Sequence, residues 1–157
     1  MKPSFMIALW RGGAPPGMCI HELLKYKKIK CDHIAVRTSS YVGKEQKSTI
    51  DVHGLHYVIE NANADDELLI VDDIFDSGRS VKAVILEIMS KMRANTPRVI
   101  RIATIYYKPK NNKTDIKPDF YCVETDKWVI FPHELEDMTD EDVYESKGEQ
   151  VAKIILK

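Results

Sequence analysis

Leu68-Leu69-Ile70-Val71 is an apolar run with no polar residue breaking it. A strand with one wet face alternates apolar and polar residues. A short continuous run therefore belongs to a strand buried on both faces, as in a parallel sheet with helices on either side. Asp72 and Asp73 begin where the run stops, which gathers charge at the strand's carboxyl end. In open α/β sheets ligands sit in the crevice beyond those ends. After Asp76 the chain reads Ser77-Gly78-Arg79-Ser80, and Val81, Val84, Ile85, Ile88, Met89 and Met92 then recur at spacings of three and four. This predicts a helix whose start carries two hydroxyls, a glycine and free N–H groups at its positive end, a combination suited to a phosphate. Adjacent carboxylates cannot serve that anion, and they make sense facing hydroxyl groups or a metal. A phosphorylated ribose supplies the hydroxyls. The bland alternative for the acid pair is a surface turn that ends a strand, where Asp is common.

Three further segments bear on the choice. Met6-Ile7-Ala8-Leu9-Trp10 reads as a second buried strand, followed by Arg11-Gly12-Gly13-Ala14-Pro15-Pro16-Gly17 and an apolar-patterned helix through Met18, Leu23 and Leu24. A Gly pair lets backbone approach a ligand closely, and Arg11 adds a cation that forks onto phosphate oxygens. By themselves Gly12 and Gly13 equally suit a loop that merely turns the chain. Thr38 to Lys47, after the strand-like His33 to Arg37, is polar and reads as a flexible loop beside the site, with Lys44 and Lys47 able to steer an anion. Such loops act as lids when they close on a reaction, although most are simply solvated. Ile102 to Tyr107 reads as a strand with Lys108-Pro109 past its end, and Phe120 to Val123 as a shorter one, with Trp128 following. A purine needs a stacking face and a cation for its exocyclic oxygen.

Strands near 4–10, 33–38, 67–72, 99–107 and 119–123, with helices near 16–28 and 80–94, predict a doubly wound, mostly parallel five-stranded α/β sheet flanked by helices. At 157 residues the chain is one domain by the usual prior, and 44% hydrophobic and 30% charged content is ordinary for a globular protein. A net charge of −1 provides no basic field for nucleic acid, and Lys25, Lys27, Lys28 and Lys30 read as a solvated helix face. Cys19, Cys31 and Cys122 have no metal-ligand spacing and read as reduced, buried thiols. No run approaches a membrane span and no export signal is evident, so a cytoplasmic protein is expected. Lys108 to Lys117 reads as a polar connection, and Thr139 as the start of a solvated capping helix leading to Val151, Ile154 and Ile155.

The run Ile70-Val71-Asp72-Asp73-Ile74-Phe75-Asp76-Ser77-Gly78-Arg79-Ser80 resembles the phosphoribosyl-pyrophosphate signature of type I phosphoribosyltransferases. Its pattern is hydrophobic pair, acid pair, spacer pair, acid, hydroxyl, glycine, any residue, hydroxyl. The family prefers Thr at both hydroxyl positions, and Ser77 and Ser80 keep the donor. The resemblance implies that Ser77, Gly78, Arg79 and Ser80 bind the 5′-phosphate and that Arg11, Gly12 and Gly13 bind pyrophosphate. It likewise implies that Asp72 and Asp73 contact the ribose hydroxyls and an associated magnesium. Ser40-Tyr41 resembles the serine-tyrosine pair of the family's catalytic flexible loop, and Asp76 falls where a general base or acceptor for purine N7 is expected.

In purine-using members a lysine after the fourth core strand contacts the 6-oxo group, and an aromatic beside a valine stacks on the ring. Lys108, Trp128 and Val129 match, Val129 through its backbone carbonyl. The bacterial xanthine-guanine type is most similar, its Trp, Ile, Pro and acid pattern being mirrored by Trp128, Val129, Pro132 and Glu134. Glu134 replaces an Asp there, and its longer reach bears on its contact with base or metal.

The implied activity transfers the phosphoribosyl group from phosphoribosyl pyrophosphate to hypoxanthine, guanine or xanthine, with magnesium, in a homodimer or homotetramer. The implied domain has a core over about 1–123 and a small hood over about 124–157. Relatives carry residues before the first core strand that form an N-terminal hood helix; here Met1 lies almost at that strand, and that helix is expected to be missing. Some relatives instead act as regulators that sense phosphoribosyl pyrophosphate or nucleotide. Their mark is a basic face or an added DNA-binding domain. Lys108 with Trp128-Val129 argues against uracil, orotate or adenine as acceptor.

Overall fold

A computed structural model describes residues 1–42, 48–136 and 138–157. They form two compact units, Met1–Asp126 and Lys127–Lys157, each described by itself. The first contains β1 (Phe5–Trp10), α1 (Ala14–Tyr26), β2 (Asp32–Val42), β3 (Ser48–His53), α2 (His56–Asn61), β4 (Glu67–Phe75), α3 (Arg79–Met92), β5 (Val99–Tyr107) and β6 (Phe120–Glu124). The second contains α4 (Asp140–Lys147) and α5 (Glu149–Ile155).

The six strands form one sheet in the order β3-β2-β1-β4-β5-β6, with every neighbouring pair parallel except β2 and β3. The doubly wound α/β architecture is as expected, with one strand more than the five read from sequence. The extra strand, β3, follows the segment read as a loop, and the start of that segment is itself strand: β2 continues through Val42, and Thr38 to Val42 pair antiparallel with Ser48 to Val52 of β3. Polar residues concealed the pairing. Along β3 only Ile50 and Val52 alternate with exposed Asp51 and His53, a weak signal in a strand of six residues.

Leu68 to Val71 show why β4 needs no polar residue. Leu68 and Ile70 pack with Ile7, Val36, Val84 and Ile88 on one face, and Leu69 and Val71 with Met6, Ala103 and Ile20 on the other. Helices cover both faces, α2 and α3 the first and α1 the second. Val81, Val84, Ile88 and Met92 of α3 are all buried, at the spacing that lines one helical stripe. α1 begins two residues before its expected start because proline is tolerated in a first helical turn.

β1 connects to β2 on one side and β4 connects to β5 on the other, and β1 and β4 lie side by side. The strand order therefore reverses between β1 and β4. At such a switch point the loops leaving the two carboxyl ends diverge and open a crevice. The loop after β1 carries Arg11, Gly12 and Gly13, and the loop after β4 carries Asp76 to Gly78.

In the second unit Thr139 caps α4 through a full capping box with Asp142. The single helix expected from there to Ile155 is broken at Gly148, whose φ of 83° ends α4. The cysteine reading is also corrected. Cys19, on the outer face of α1, and Cys122, on the edge strand β6, are exposed; Cys31 is half-buried, and all are free. Desolvation pushes the Cys31 thiol up to about 11, which keeps it protonated. Among the described residues no helix is long and apolar enough to cross a membrane.

Candidate active site

β4 runs past the acid pair to Phe75, so its residues alternate in direction through Asp72 and Asp73. Asp73 is 7% exposed and its carboxylate lies directly over Gly12, where any Cβ would collide with it. Gly13 is as constrained, because a Cβ there would meet the carbonyl of Val71 and lie 2.7 Å from the Leu9 carbonyl oxygen. The two glycines thus let the loop after β1 close onto β4, beyond merely turning the chain. Arg11 is exposed at the head of this loop, its carbonyl accepting from the Ala14 N–H at 3.1 Å, and the Trp10–Arg11 peptide bond is cis.

Asp72 pairs in register with Thr104 of β5. The Thr104 hydroxyl is buried, with no hydrogen-bond partner among the described residues. Burial, and after it the adjacent Asp73 carboxylate, push the Asp72 carboxyl well above the usual carboxylate range. A raised native value means that stability is complete at low pH and is lost as the group is forced to ionise on raising the pH. Asp72→Asn is accordingly expected to melt at a higher temperature than the unaltered protein near pH 8, with the gap closing as the pH falls to about 4. Melting curves over that range check it, and a gap independent of pH would contradict it.

Gly78 has a φ of 75° and is the N-cap of α3, with the Phe75 ring and the Thr114 hydroxyl against it. Only glycine takes that backbone without strain. The N-cap Gly78 has no side chain with which to cap α3, in contrast to α4, and the Ser77 hydroxyl accepts from the Arg79 N–H at 3.4 Å. The first turn of a helix carries amides with no intrahelical acceptor, so α3 presents N–H groups and a positive dipole end just after Ser77. Arg79 is exposed, and Ser77 and Ser80 are partly exposed at this turn.

Beside the turn, Asp76 meets two partners from the connection after β5. Lys108 Nζ lies 3.6 Å from one carboxylate oxygen, and the Asn111 side-chain amide donates to the other. Lys108 is 7% exposed, held by its backbone N–H, which donates to the Phe75 carbonyl at 2.9 Å. The structure thus brings together a cation, a carboxylate and an uncapped helix start at the carboxyl ends of β4 and β5. Two concavities of about 840 and 460 Å3 open at the amino end of the sheet, lined by residues such as Lys25 and Asp32, and Glu67 and Arg101; neither contains an expected site residue.

Residues 1–138 match the model of the phosphoribosyl transferase domain. The chain belongs to the phosphoribosyltransferase family. It is 32% identical over 123 residues to a hypoxanthine-guanine phosphoribosyltransferase of Streptococcus pyogenes, covering 77% of this chain and 62% of that protein. It is 26% identical over 132 residues to a xanthine-guanine phosphoribosyltransferase of Cereibacter sphaeroides, covering 83% and 68%. The chain thus spans a little under two thirds of the length of the first curated relatives it matches. Its fold is similar to the crystal structure of a purine phosphoribosyltransferase from Pyrococcus horikoshii, with a TM-score of 0.65, 28% identity, and coverage of 88% and 82%.

The remaining expected site residues divide by place. The backbones of Ser40 and Tyr41 lie in β2, opposite Ile50 and Thr49. Their side chains lie outside the described residues, as do Lys44 and Lys47. Trp128, Val129 and Glu134 belong to the second unit. There Trp128 is 83% exposed, Val129 is partly exposed, and the Glu134 carboxylate accepts from the Phe131 N–H at 3.1 Å.

Among the described residues no three His, Cys, Asp or Glu side chains stand close enough to hold a metal ion between them. The neighbouring carboxyls of Asp72 and Asp73 suit a cation that takes its other ligands from phosphate and water oxygens, as magnesium does. Asn111, which donates to Asp76, and Thr104, in strand register with Asp72, are the residues next to the expected site that sequence reading passed over. Neither sits in a motif, and each is brought there by pairing or by a loop contact.

Proposed function

We propose that this chain transfers the 5-phosphoribosyl group from phosphoribosyl pyrophosphate to a 6-oxopurine, giving the nucleoside monophosphate and pyrophosphate. The observation that carries the reading is Asp76 beside Lys108, next to the uncapped start of α3 at the switch point. A helix start without a side-chain cap suits a phosphate. A carboxylate and an ammonium side by side at ion-pair distance suit the N7–H and 6-oxo edge of hypoxanthine, guanine or xanthine.

In the reaction the purine N9 lone pair forms the bond to the anomeric carbon as the bond to pyrophosphate breaks. The electron pair leaves with pyrophosphate, and the N7 proton passes to Asp76. Positive charge develops on the ribose and negative charge on the leaving group, and a site that stabilises both must hold opposite charges close together. Asp72 and Asp73 face the sugar hydroxyls, Ser77 to Ser80 hold the 5′-phosphate, and Arg11 with the Gly12-Gly13 amides holds the leaving group. Asp72 and Asp73 would hold a magnesium ion, which would supply charge neutralisation to the leaving pyrophosphate. Lys108 takes the 6-oxo oxygen, Trp128 the ring face and Val129, through its carbonyl, the base edge. Glu134 serves as a further base or metal contact, and Ser40 and Tyr41 serve as catalytic residues.

The test is to incubate purified protein with magnesium, phosphoribosyl pyrophosphate and each base in turn, following nucleotide formation by absorbance. Turnover with at least one 6-oxopurine is expected. No turnover with any of the three, alongside retained binding of the sugar donor, would favour a regulator that senses phosphoribosyl pyrophosphate. In the same assay Trp128→Ala is expected to raise KM for the base about tenfold, the worth of one stacked ring, and to leave KM for the donor unchanged. Equal effects on both substrates would remove Trp128 from the base site.

A further inference from the structure

We infer that Asn111 is a positioning residue for Asp76, holding one carboxylate oxygen so that the other is turned toward the purine; the inference rests on the 6-oxopurine reading above. An ionised carboxylate only accepts, so the Asn111 face turned to Asp76 is its NH2 group. The two oxygens of Asp76 thereby have different partners, the Asn111 amide on one and Lys108 Nζ at 3.6 Å from the other.

The amide is held in place by its loop, although Asn111 itself is exposed. Backbone hydrogen bonds tie the connection after β5 to both chain neighbours of Asp76. The Lys108 N–H donates to the Phe75 carbonyl and the Lys113 N–H to the Ser77 carbonyl, each at 2.9 Å. The turn is closed from within, the Asn111 N–H donating to the Lys108 carbonyl at 3.2 Å. Asn112 braces the far side, accepting from the Thr114 N–H and hydroxyl and donating to the Ile116 carbonyl, all at 2.8 Å.

The need for such a brace follows from the reaction. Lys108 has two demands on it, Asp76 in the free protein and the 6-oxo oxygen once a base arrives. When the ammonium turns to the base, the carboxylate loses the partner on the oxygen that must accept the N7 proton. A carboxylate held at only that oxygen would swing with the lysine. Held at the other by a neutral amide, it keeps its direction and leaves a lone pair aimed at N7.

The test is steady-state kinetics on three variants beside the unaltered protein. Asn111→Ala is expected to lower kcat about tenfold and to change KM for phosphoribosyl pyrophosphate less than about twofold. Asn111→Asp, which sets a like charge against Asp76, is expected to lower kcat about a hundredfold. Asn111→Gln keeps the donor and is expected to recover most of the loss. Thermal midpoints should stay within a few degrees of the unaltered protein, because the side chain is exposed. An Asn111→Ala protein with unchanged kcat, a Gln variant no better than Ala, or a loss seen only in donor KM would each overturn the inference while the purine reading stood. An unaltered protein that turned over none of the three bases would sink that reading, and this inference with it.

Discussion

Asp76→Asn is expected to cut turnover by about 10² or more, with a smaller effect on donor binding. The change is nearly isosteric. It leaves an oxygen to accept from the Asn111 amide, and it leaves untouched the backbone hydrogen bonds that tie Phe75 and Ser77 to the connection after β5. What it removes is the charge paired with Lys108 at 3.6 Å and the basic oxygen proposed to take the N7 proton. Donor contacts assigned to Ser77, Gly78 and Ser80 rest on hydroxyls and main-chain amides, which the substitution does not reach. Single-turnover measurements with saturating phosphoribosyl pyrophosphate separate the two quantities. Loss of donor affinity equal to the loss of rate would show that Asp76 shapes the loop and is not the proton acceptor.

The part of this fold that was legible in the sequence is the part built on buried runs and helical spacing. Leu68 to Val71 and Met6 to Leu9 lack alternation because helices cover both sheet faces, and that is visible without coordinates. β3 was hidden because its register is set by pairing with β2, and its own residues carry too few apolar positions to announce a strand. The break at Gly148 was hidden for a related reason: a glycine within a polar stretch shows a left-handed φ only once the chain turns there. At the site, Asp72, Asp73 and Asp76 stood out because three carboxylates close to a glycine-marked helix start have few purely structural uses. Thr104 and Asn111 could not stand out. Thr104 sits in an otherwise ordinary β5 strand, and Asn111 lies in a polar connection whose docking depends on tertiary hydrogen bonds.

The Gly12 and Gly13 pair separates binding from folding, and alanine at each position is expected to fail differently. A Cβ on Gly13 would stand 2.7 Å from the Leu9 carbonyl oxygen and 2.8 Å from the Leu9 amide nitrogen, with the Val71 carbonyl against it as well. These are backbone atoms of the two central strands, and they cannot yield without loosening the sheet. Gly13→Ala should therefore cost about 3 kcal/mol and lower the thermal midpoint by roughly 10 °C. The three atoms nearest a Cβ on Gly12 all belong to the Asp73 side chain, and rotation of that side chain relieves them. The fold then survives, but the displaced carboxylate no longer faces the donor, and KM for phosphoribosyl pyrophosphate should rise about tenfold or more with a midpoint within a few degrees of the unaltered protein. Calorimetry and donor titrations on the two variants check both halves. A Gly13→Ala protein as stable as the original would show that the loop after β1 packs less closely on β4 than these distances require. A Gly12→Ala protein with unaltered donor KM would remove Asp73 from the sugar site.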